Sequence, residues 1–378
     1  MKRLSLLFVS VLGLLLAGPA VAIPVPKAPS ISGDAYFLMD ANTGRVLASE
    51  KPDKRVAPAS LTKMMTAYVV YEALADGSIA LDDKVEISEK AWRMGGSQMF
   101  LEVGTTATVD QLLDGLVVQS GNDAAVALAE HVAGSEQAFV EQMNHYAGEL
   151  GLNNTHFVNA DGLPHDNHYS SAHDLARLAR AIIRDFPERY GRYSKREFTY
   201  NNIKQYNRND LLWSDPGVDG LKTGHTQAAG YCLVASAKHD GMRLISVVLG
   251  APTEDQRASD SRSLLSWGFR FFETHKLYAA GDVLKKARIW EGAQDEVPLG
   301  LGSDLVVTIP KGEYDKLDAE MSFPGRLVAP ADKGQELGTV KVKLGDEQVA
   351  QAPLVALEAV PQGNFFQRAV DTVLEWFD

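Results

Sequence analysis

A single cysteine, Cys232, in a chain of 378 residues leaves no partner for an intramolecular disulfide, so apolar burial has to hold the fold. Positive charge is also short. The chain has 37 Lys and Arg against 49 Asp and Glu, a formal net charge of −12. That balance argues against nucleic acid as a partner, because binding phosphates needs a basic surface. It also offers no attraction to an anionic bilayer. No stretch reaches the roughly 20 apolar residues that a membrane-crossing helix requires. No H-E-x-x-H or similar metal pattern occurs, no motif asks for a cofactor, and there is no internal repeat or low-complexity segment.

The ends of the chain are more informative. Lys2 and Arg3, the apolar run Leu4 to Leu16 and the small residues Ala20-Val21-Ala22 form the three parts of a secretory signal peptide. Cleavage is expected after Ala22, giving a leader over 1–22; an uncleaved anchor is the rival reading. Residues 364–378 predict an amphipathic helix. Phe366, Ala369, Val370, Val373, Leu374 and Phe377 fall on one side, and Gln367, Arg368, Asp371, Thr372, Glu375 and Asp378 on the other. Such a helix either docks on the protein's own core or lies in a membrane interface. The loop-like PQGN at 361–364 and the aromatic density favour the interface. Burying the apolar side would give on the order of 10 kcal/mol as an upper bound. Attachment would rest on that side, since the polar side carries three carboxylates and one arginine.

Between the ends, AYFLMDANTGRVLASE reads as two strands joined at Asn42-Thr43-Gly44. APASLTKMMTAYVV follows as a helix with Pro58 in its first turn. From about 80 to 185 the pattern is mostly helical, as in VDQLLDGLVVQSGNDAAVALAEHVAG and SAHDLARLARAIIRDF. Strands return in GLKTGHT and in GYCLVASAKHDGMRLISVVLGA, and SDSRSLLSWGFRFFETH closes the unit as a helix. The fold class is mixed α/β of the α+β type: an antiparallel sheet flanked by helices, with a helical insertion, over 30–275. Residues 281–360 alternate in short stretches broken by Gly, Pro and Asp and read as a small all-β domain.

The chemistry centres on Ser60 and Lys63. At i, i+3 on a helix they share a face, about 5–6 Å apart at Cβ. A serine hydroxyl needs a base, and Lys63 serves only when neutral, so burial and nearby cations must lower its pKa. Two stretches support the pair. Ser120-Gly121-Asn122 opens a helix, where a hydroxyl and an amide can enter a cleft. Lys222-Thr223-Gly224 lies at a strand edge, where Gly224 allows a substrate backbone to approach. Each motif alone is common; S-x-x-K is mostly a solvated helix face, S-G-N a cap and K-T-G a strand end. In this order, 60 and then 102 residues apart, they form the serine–lysine and K-T-G set of penicillin-binding proteins and class A β-lactamases.

The chain resembles the low-molecular-mass (class C) penicillin-binding proteins that are D-alanyl-D-alanine carboxypeptidases. APASLTKMMTAYVV, QSGNDAAVALAEHVAG, FVNADGLP, VDGLKTGHT and LLSWGFRFFETH carry the resemblance. The signal peptide, small β domain and terminal helix extend it over nearly the whole chain. It implies a serine β-lactamase/D,D-peptidase-like catalytic domain on a β-rich stalk, exported to the periplasmic face of the inner membrane. It also implies that Ser60 is acylated by the penultimate D-alanine of a peptidoglycan stem peptide, or by a β-lactam, while Lys63 takes its proton. Ser120 and Asn122 would relay protons and hold the peptide amide. Lys222 would help keep Lys63 neutral, and Thr223 would meet the terminal carboxylate. The backbone N–H groups of Ser60 and His225 would form the oxyanion hole, and Arg257 would bind the same carboxylate. For Arg257 the plainer reading is a surface arginine just ahead of a helix. His165, His168 and His173 read as loop residues, not ligands.

Other functions stay open at this point. A β-lactamase needs a deacylating glutamate, and Glu149 and Asn153 have the E-x-x-x-N spacing, but that stretch also reads as a helix end. A D,D-endopeptidase cutting peptidoglycan cross-links shares every motif, and transpeptidation differs only in the acceptor. A non-catalytic envelope-binding protein is the alternative of another class, which the intact motif set opposes.

Overall fold

The computed structural model describes residues 25–365, 367 and 368. The expected signal peptide, and all but four residues of the expected terminal helix, lie outside them. Among the described residues, no helix is long and apolar enough to cross a membrane.

Five antiparallel strands form the central sheet: β1 (Ala35–Asp40), β2 (Val46–Glu50), β3 (Val218–Thr226), β4 (Gly230–His239) and β5 (Met242–Ala251). Their order is β2-β1-β5-β4-β3. Alternation along each strand sorts the side chains onto two faces. Phe37, Met39, Ile245, Val247 and Leu249 enter one core, while Leu38, Leu244 and Val248 enter the other. Both faces are covered, which is why MRLISVVLGA reads as an almost unbroken apolar run. Helix α3 (Ala172–Asp185) packs on β5 and β1, and helix α4 (Glu254–Phe271) on β5 and β4.

Helix α1 (Lys63–Ala75) runs through the larger core. Met64, Met65, Val69, Val70 and Tyr71 are all essentially inaccessible, leaving little polar side to the helix. Burying each such side chain is worth roughly 1.5–3 kcal/mol. A helix hemmed in on most sides carries its first residue, Lys63, into the interior with it.

Three expectations need correction. The Ser60 stretch is not one helix: Ala59–Thr62 forms a single 3₁₀ turn before α1 begins at Lys63. Residues i and i+3 eclipse on such a turn, so the pair still faces one way. The helical spacing that runs through Ser120 is not one continuous helix, although a helix opens at Ser120-Gly121-Asn122 as expected. Ser120 adopts φ 65°, Gly121 is extended, and helix α2 (Asn122–Ala133) starts afresh. Finally, the closing helix starts earlier than expected, capped by the Thr253 hydroxyl, and ends at Phe271. Phe272–Tyr278 is instead a strand paired with Leu305–Pro310. Its β-branched and aromatic residues suit either state, and pairing decides. The mostly helical 80–185 region also contains a short strand pair, Lys84–Glu86 with Thr106–Thr108.

The C-terminal part is a β domain. Six strands between Val283 and Ala356 form one sheet around its own core, which includes Ile289, Val297, Leu299, Ile309, Val340 and Leu354. The turn after β1 ties the two parts together. Thr43 and Thr308 hydroxyls meet at 2.7 Å, Thr274 Oγ1 donates to buried Asp40 at 2.8 Å, and Arg45 donates to the Thr308 carbonyl at 2.7 Å.

Candidate active site

Ser60 sits on the 3₁₀ turn, directly after Ala59, which takes an unusual φ of 49°. Gly162 (φ 88°) lies so close beneath that a Cβ there would overlap the Ala59 carbonyl. Lys63, 1% exposed, donates to Ser60 Oγ at 3.0 Å, Asn122 Oδ1 at 2.7 Å and the Asp161 carbonyl at 2.6 Å. Three acceptors match the three donors of an ammonium. Burial lowers Lys63 to about 8; the charges of Asp161 and Asp123 oppose this, and Arg208 adds to it.

The break at Ser120 builds the second wall. Because α2 starts at Asn122, that side chain points at Lys63, while its Nδ2 donates to the Gly95 carbonyl at 2.6 Å. Asp123 accepts from the backbone N–H groups of Met99 and Leu101 at 3.0–3.1 Å, fastening the 95–101 loop beside the site. Ser120 Oγ is buried and has no hydrogen-bond partner. A buried hydroxyl in that state is available to a ligand.

Strand β3 forms the third wall. Lys222 (3% exposed) and Thr223 precede Gly224, whose missing side chain serves the protein itself. A Cβ at Gly224 would lie 3.1 Å from the Pro58 carbonyl and 3.2 Å from Leu61. The sequence reading credited this glycine to substrate approach; the structure shows that it first lets the Ser60 turn rest on the strand. Lys222 is held well below the usual lysine range by burial and by Lys63, Arg208 and Arg257. The cation that lowers Lys63 is Arg208; Lys222, expected in that role, is itself lowered by burial and by Lys63. Across the ladder from Gly224, Cys232 is buried, its thiol pushed up to about 11 by burial.

Arg257 is not a surface residue. It occupies the first turn of α4, is 2% exposed, and bonds the Glu254 carboxylate at 2.6 Å, while its Nε is unpartnered. The His225 ring is exposed and stacks on Tyr231, its cross-strand partner, at 4.0 Å.

Ser60, Ser120, Asn122, Thr223, Gly224, His225 and Arg257 line one cavity of about 500 Å³, with Lys63 and Lys222 buried behind them. Arg208, Tyr231 and Asp161 also line it, and sequence reasoning missed all three. Tyr231 was accessible in principle, since the β3–β4 register places it opposite His225. Arg208 and Asp161 lie on loops that no local pattern ties to Ser60. His168 is the exception among the loop histidines: it is 3% exposed and contacts Thr62 Oγ1 at 2.8 Å. His165 is exposed, and His173 lies in the first turn of α3. Glu149 ends a helix and bonds His145 at 3.3 Å, away from the cavity. Among the described residues, no group of three or more His, Cys, Asp or Glu could hold a metal ion.

Comparison with known proteins agrees with this geometry. The family model described as D-alanyl-D-alanine carboxypeptidase, peptidase S11, matches residues 23–253, and that of the penicillin-binding protein 5 C-terminal domain matches 272–362. The chain is 45% identical over 357 residues to D-alanyl-D-alanine carboxypeptidase DacA of Escherichia coli (strain K12), covering 92% of this chain and 89% of that one. It is 46% identical over 363 residues to DacC of the same organism, covering 93% and 91%. Penicillin-binding protein 5 from Haemophilus influenzae, a solved structure, superposes with a TM-score of 0.85 at 47% identity over 89% of this chain and 100% of that one. By motif, by fold and by these matches, the chain belongs to the D-alanyl-D-alanine carboxypeptidase family of serine peptidases.

Proposed function

We propose that the chain removes the terminal D-alanine from peptidoglycan stem pentapeptides through an acyl-enzyme on Ser60, and that penicillins acylate the same hydroxyl. The observation that carries this reading is the hydrogen-bond set of Lys63. Two of its three partners, Asn122 Oδ1 and the Asp161 carbonyl, can only accept. When Lys63 loses a proton, its remaining two N–H bonds stay with them, and its lone pair faces the one partner able to donate, the Ser60 hydroxyl. The amine is then a base aimed at its nucleophile.

In the forward step Ser60 Oγ attacks the carbonyl of the penultimate D-alanine as its proton passes to Lys63. The tetrahedral oxyanion would meet the backbone N–H groups of Ser60 and His225. Collapse breaks the peptide bond, and the departing amine takes a proton delivered by Lys63 through Ser120, whose unpartnered hydroxyl suits a relay. Asn122 holds Lys63 in line and has acceptor capacity left for the substrate amide. Water then hydrolyses the ester. Arg257 and Arg208 make the carboxylate end of the cavity cationic, and Thr223 and Lys222 add hydrogen-bond donors to it.

Arg257→Gln is expected to raise KM for a diacyl-Lys-D-Ala-D-Ala peptide by about 10- to 100-fold, the worth of a charge-assisted hydrogen bond. Steady-state kinetics will check it; an unchanged KM would remove Arg257 from the carboxylate site.

In this reading residues 1–22 are a signal peptide, 30–275 the peptidase unit and 281–360 the β domain. The amphipathic 364–378 segment rests on the periplasmic face of the inner membrane through its apolar side. The test of function is release of D-alanine from the peptide, with a penicillin adduct mapped to Ser60 and absent from Ser60→Ala. Adduct without D-alanine release would shift the assignment to cutting cross-linked peptides. Neither adduct nor release would end the catalytic reading.

A further inference from the structure

Asp161 is the least explained charged group in the cavity wall. It is 2% exposed, yet only one of its carboxyl oxygens is bonded: Oδ1 accepts from the Leu163 N–H at 3.0 Å, and Oδ2 has no partner. Among the described residues, its carboxylate takes part in no ion pair. A buried carboxylate ordinarily has its oxygens satisfied, and one that does not demands a reason. Its backbone carbonyl holds Lys63 at 2.6 Å, so the two charges are near neighbours by construction.

The loop gives Asp161 no freedom to turn away. Gly162 N–H donates to Asn159 Oδ1 at 2.8 Å, and Asn159 Nδ2 returns to the Leu163 carbonyl at 2.9 Å. Gly162 is wedged against Ala59, and His168, from the far side of the loop, bonds Thr62.

We propose that Asp161 is a positioning residue for the acylation step, acting through charge: its fixed, under-bonded carboxylate sets the pH at which Lys63 becomes a base. The inference rests on Lys63 acting as the base of Ser60. The groups that act on Lys63 are Asp161 on this loop, Asp123 at the start of α2, and Arg208 on the loop after the Ile203–Tyr206 strand; Lys222 on β3 is itself depressed by Lys63. Asp161 in turn faces Lys63 and Glu136, and burial raises its own carboxyl pKa. His168, lowered to about 4 by burial, is neutral at working pH and adds no charge.

The sign follows directly. Burial and Arg208 drive Lys63 towards the neutral amine, and a very low pKa makes a feeble base. Asp161 pulls the other way and holds Lys63 at about 8. There the group can take the serine proton and later return one to the leaving amine.

The test is the pH dependence of second-order penicillin acylation, read as adduct mass against time, for the parent, Asp161→Asn and Asp161→Glu. The parent rate is expected to climb with pH and level off above about 8. In Asp161→Asn that limb should move down by about one to two pH units, the effect of one charge a few ångströms away, and the plateau should fall. Asp161→Glu restores the charge and should return the limb to the parent position. If Asp161→Asn lowers the plateau while its limb stays with the parent, the residue only shapes the loop and the proposal is overturned. Should Asp161→Asn lose cooperative melting, Asp161→Ser carries the same expectation. A parent that penicillin does not acylate would instead overturn the Ser60–Lys63 reading beneath it.

Discussion

Lys63→Met is expected to slow penicillin acylation by on the order of 10³- to 10⁴-fold while the protein stays folded. Methionine matches the lysine stem in length and keeps the apolar packing at the start of α1. It removes the one group within hydrogen-bonding reach of Ser60 Oγ in the described hydrogen bonds. Two stability effects oppose each other. Asn122 Oδ1 and the Asp161 carbonyl lose a donor, at about 1–3 kcal/mol each if left dry. Against that, an ammonium that was 1% exposed no longer has to be kept out of water. The melting temperature should therefore move far less than the rate. Adduct mass against time and a thermal melt of the same preparation check both halves. A rate within tenfold of the parent would mean that another group takes the proton.

Gly162→Ala is the second large effect, and it reaches Ser60 without touching it. At φ 88° any Cβ is strained, and here it would also overlap the Ala59 carbonyl and lie 2.9 Å from Thr62 Oγ1. Neither neighbour can yield easily. Ala59 is itself held at φ 49°, and Thr62 is tied to His168. Relief has to come from moving the turn that carries Ser60 or the loop that carries Asp161. A displacement of about 1 Å costs on the order of 100-fold in rate, and strain with overpacking costs about 2–4 kcal/mol. Acylation should thus fall by at least about 100-fold together with a lower melting temperature. Parent-like acylation in a stably folded variant would show that the loop does not fix the turn.

Much of this site is legible in the sequence because two of its motifs lie where helices begin and the third lies on a strand. Ser60 and Lys63 read correctly as a pair even though the helix was drawn too early, since i and i+3 face one way on both kinds of turn. Lys222 and Thr223 sit on a strand whose apolar partners announce it. At Ser120 the start of a helix was legible but the positive φ was not, because VDQLLDGLVVQSGNDAAVALAEHVAG keeps helical spacing on both sides of that residue. The strand Phe272–Tyr278 was invisible for a related reason: its partner, Leu305–Pro310, is remote in the chain. Arg257 was visible through the family resemblance, but its burial was not. Arg208 and Asp161 enter the cavity from loops far along the chain, and only the tertiary fold brings them to Lys63. Gly224 was recognised as special for a different reason from the one the structure gives.

The lone cysteine has a consequence for observing this protein. With its thiol pushed up to about 11 by burial, Cys232 is almost entirely un-ionised at neutral pH, and its side chain lies in the apolar core on one face of the sheet. Reagents for thiolates reach it only when that core opens. Their rate of attachment is a stopwatch for the opening of the core behind the active site, built into the chain at a position where no label has to be introduced.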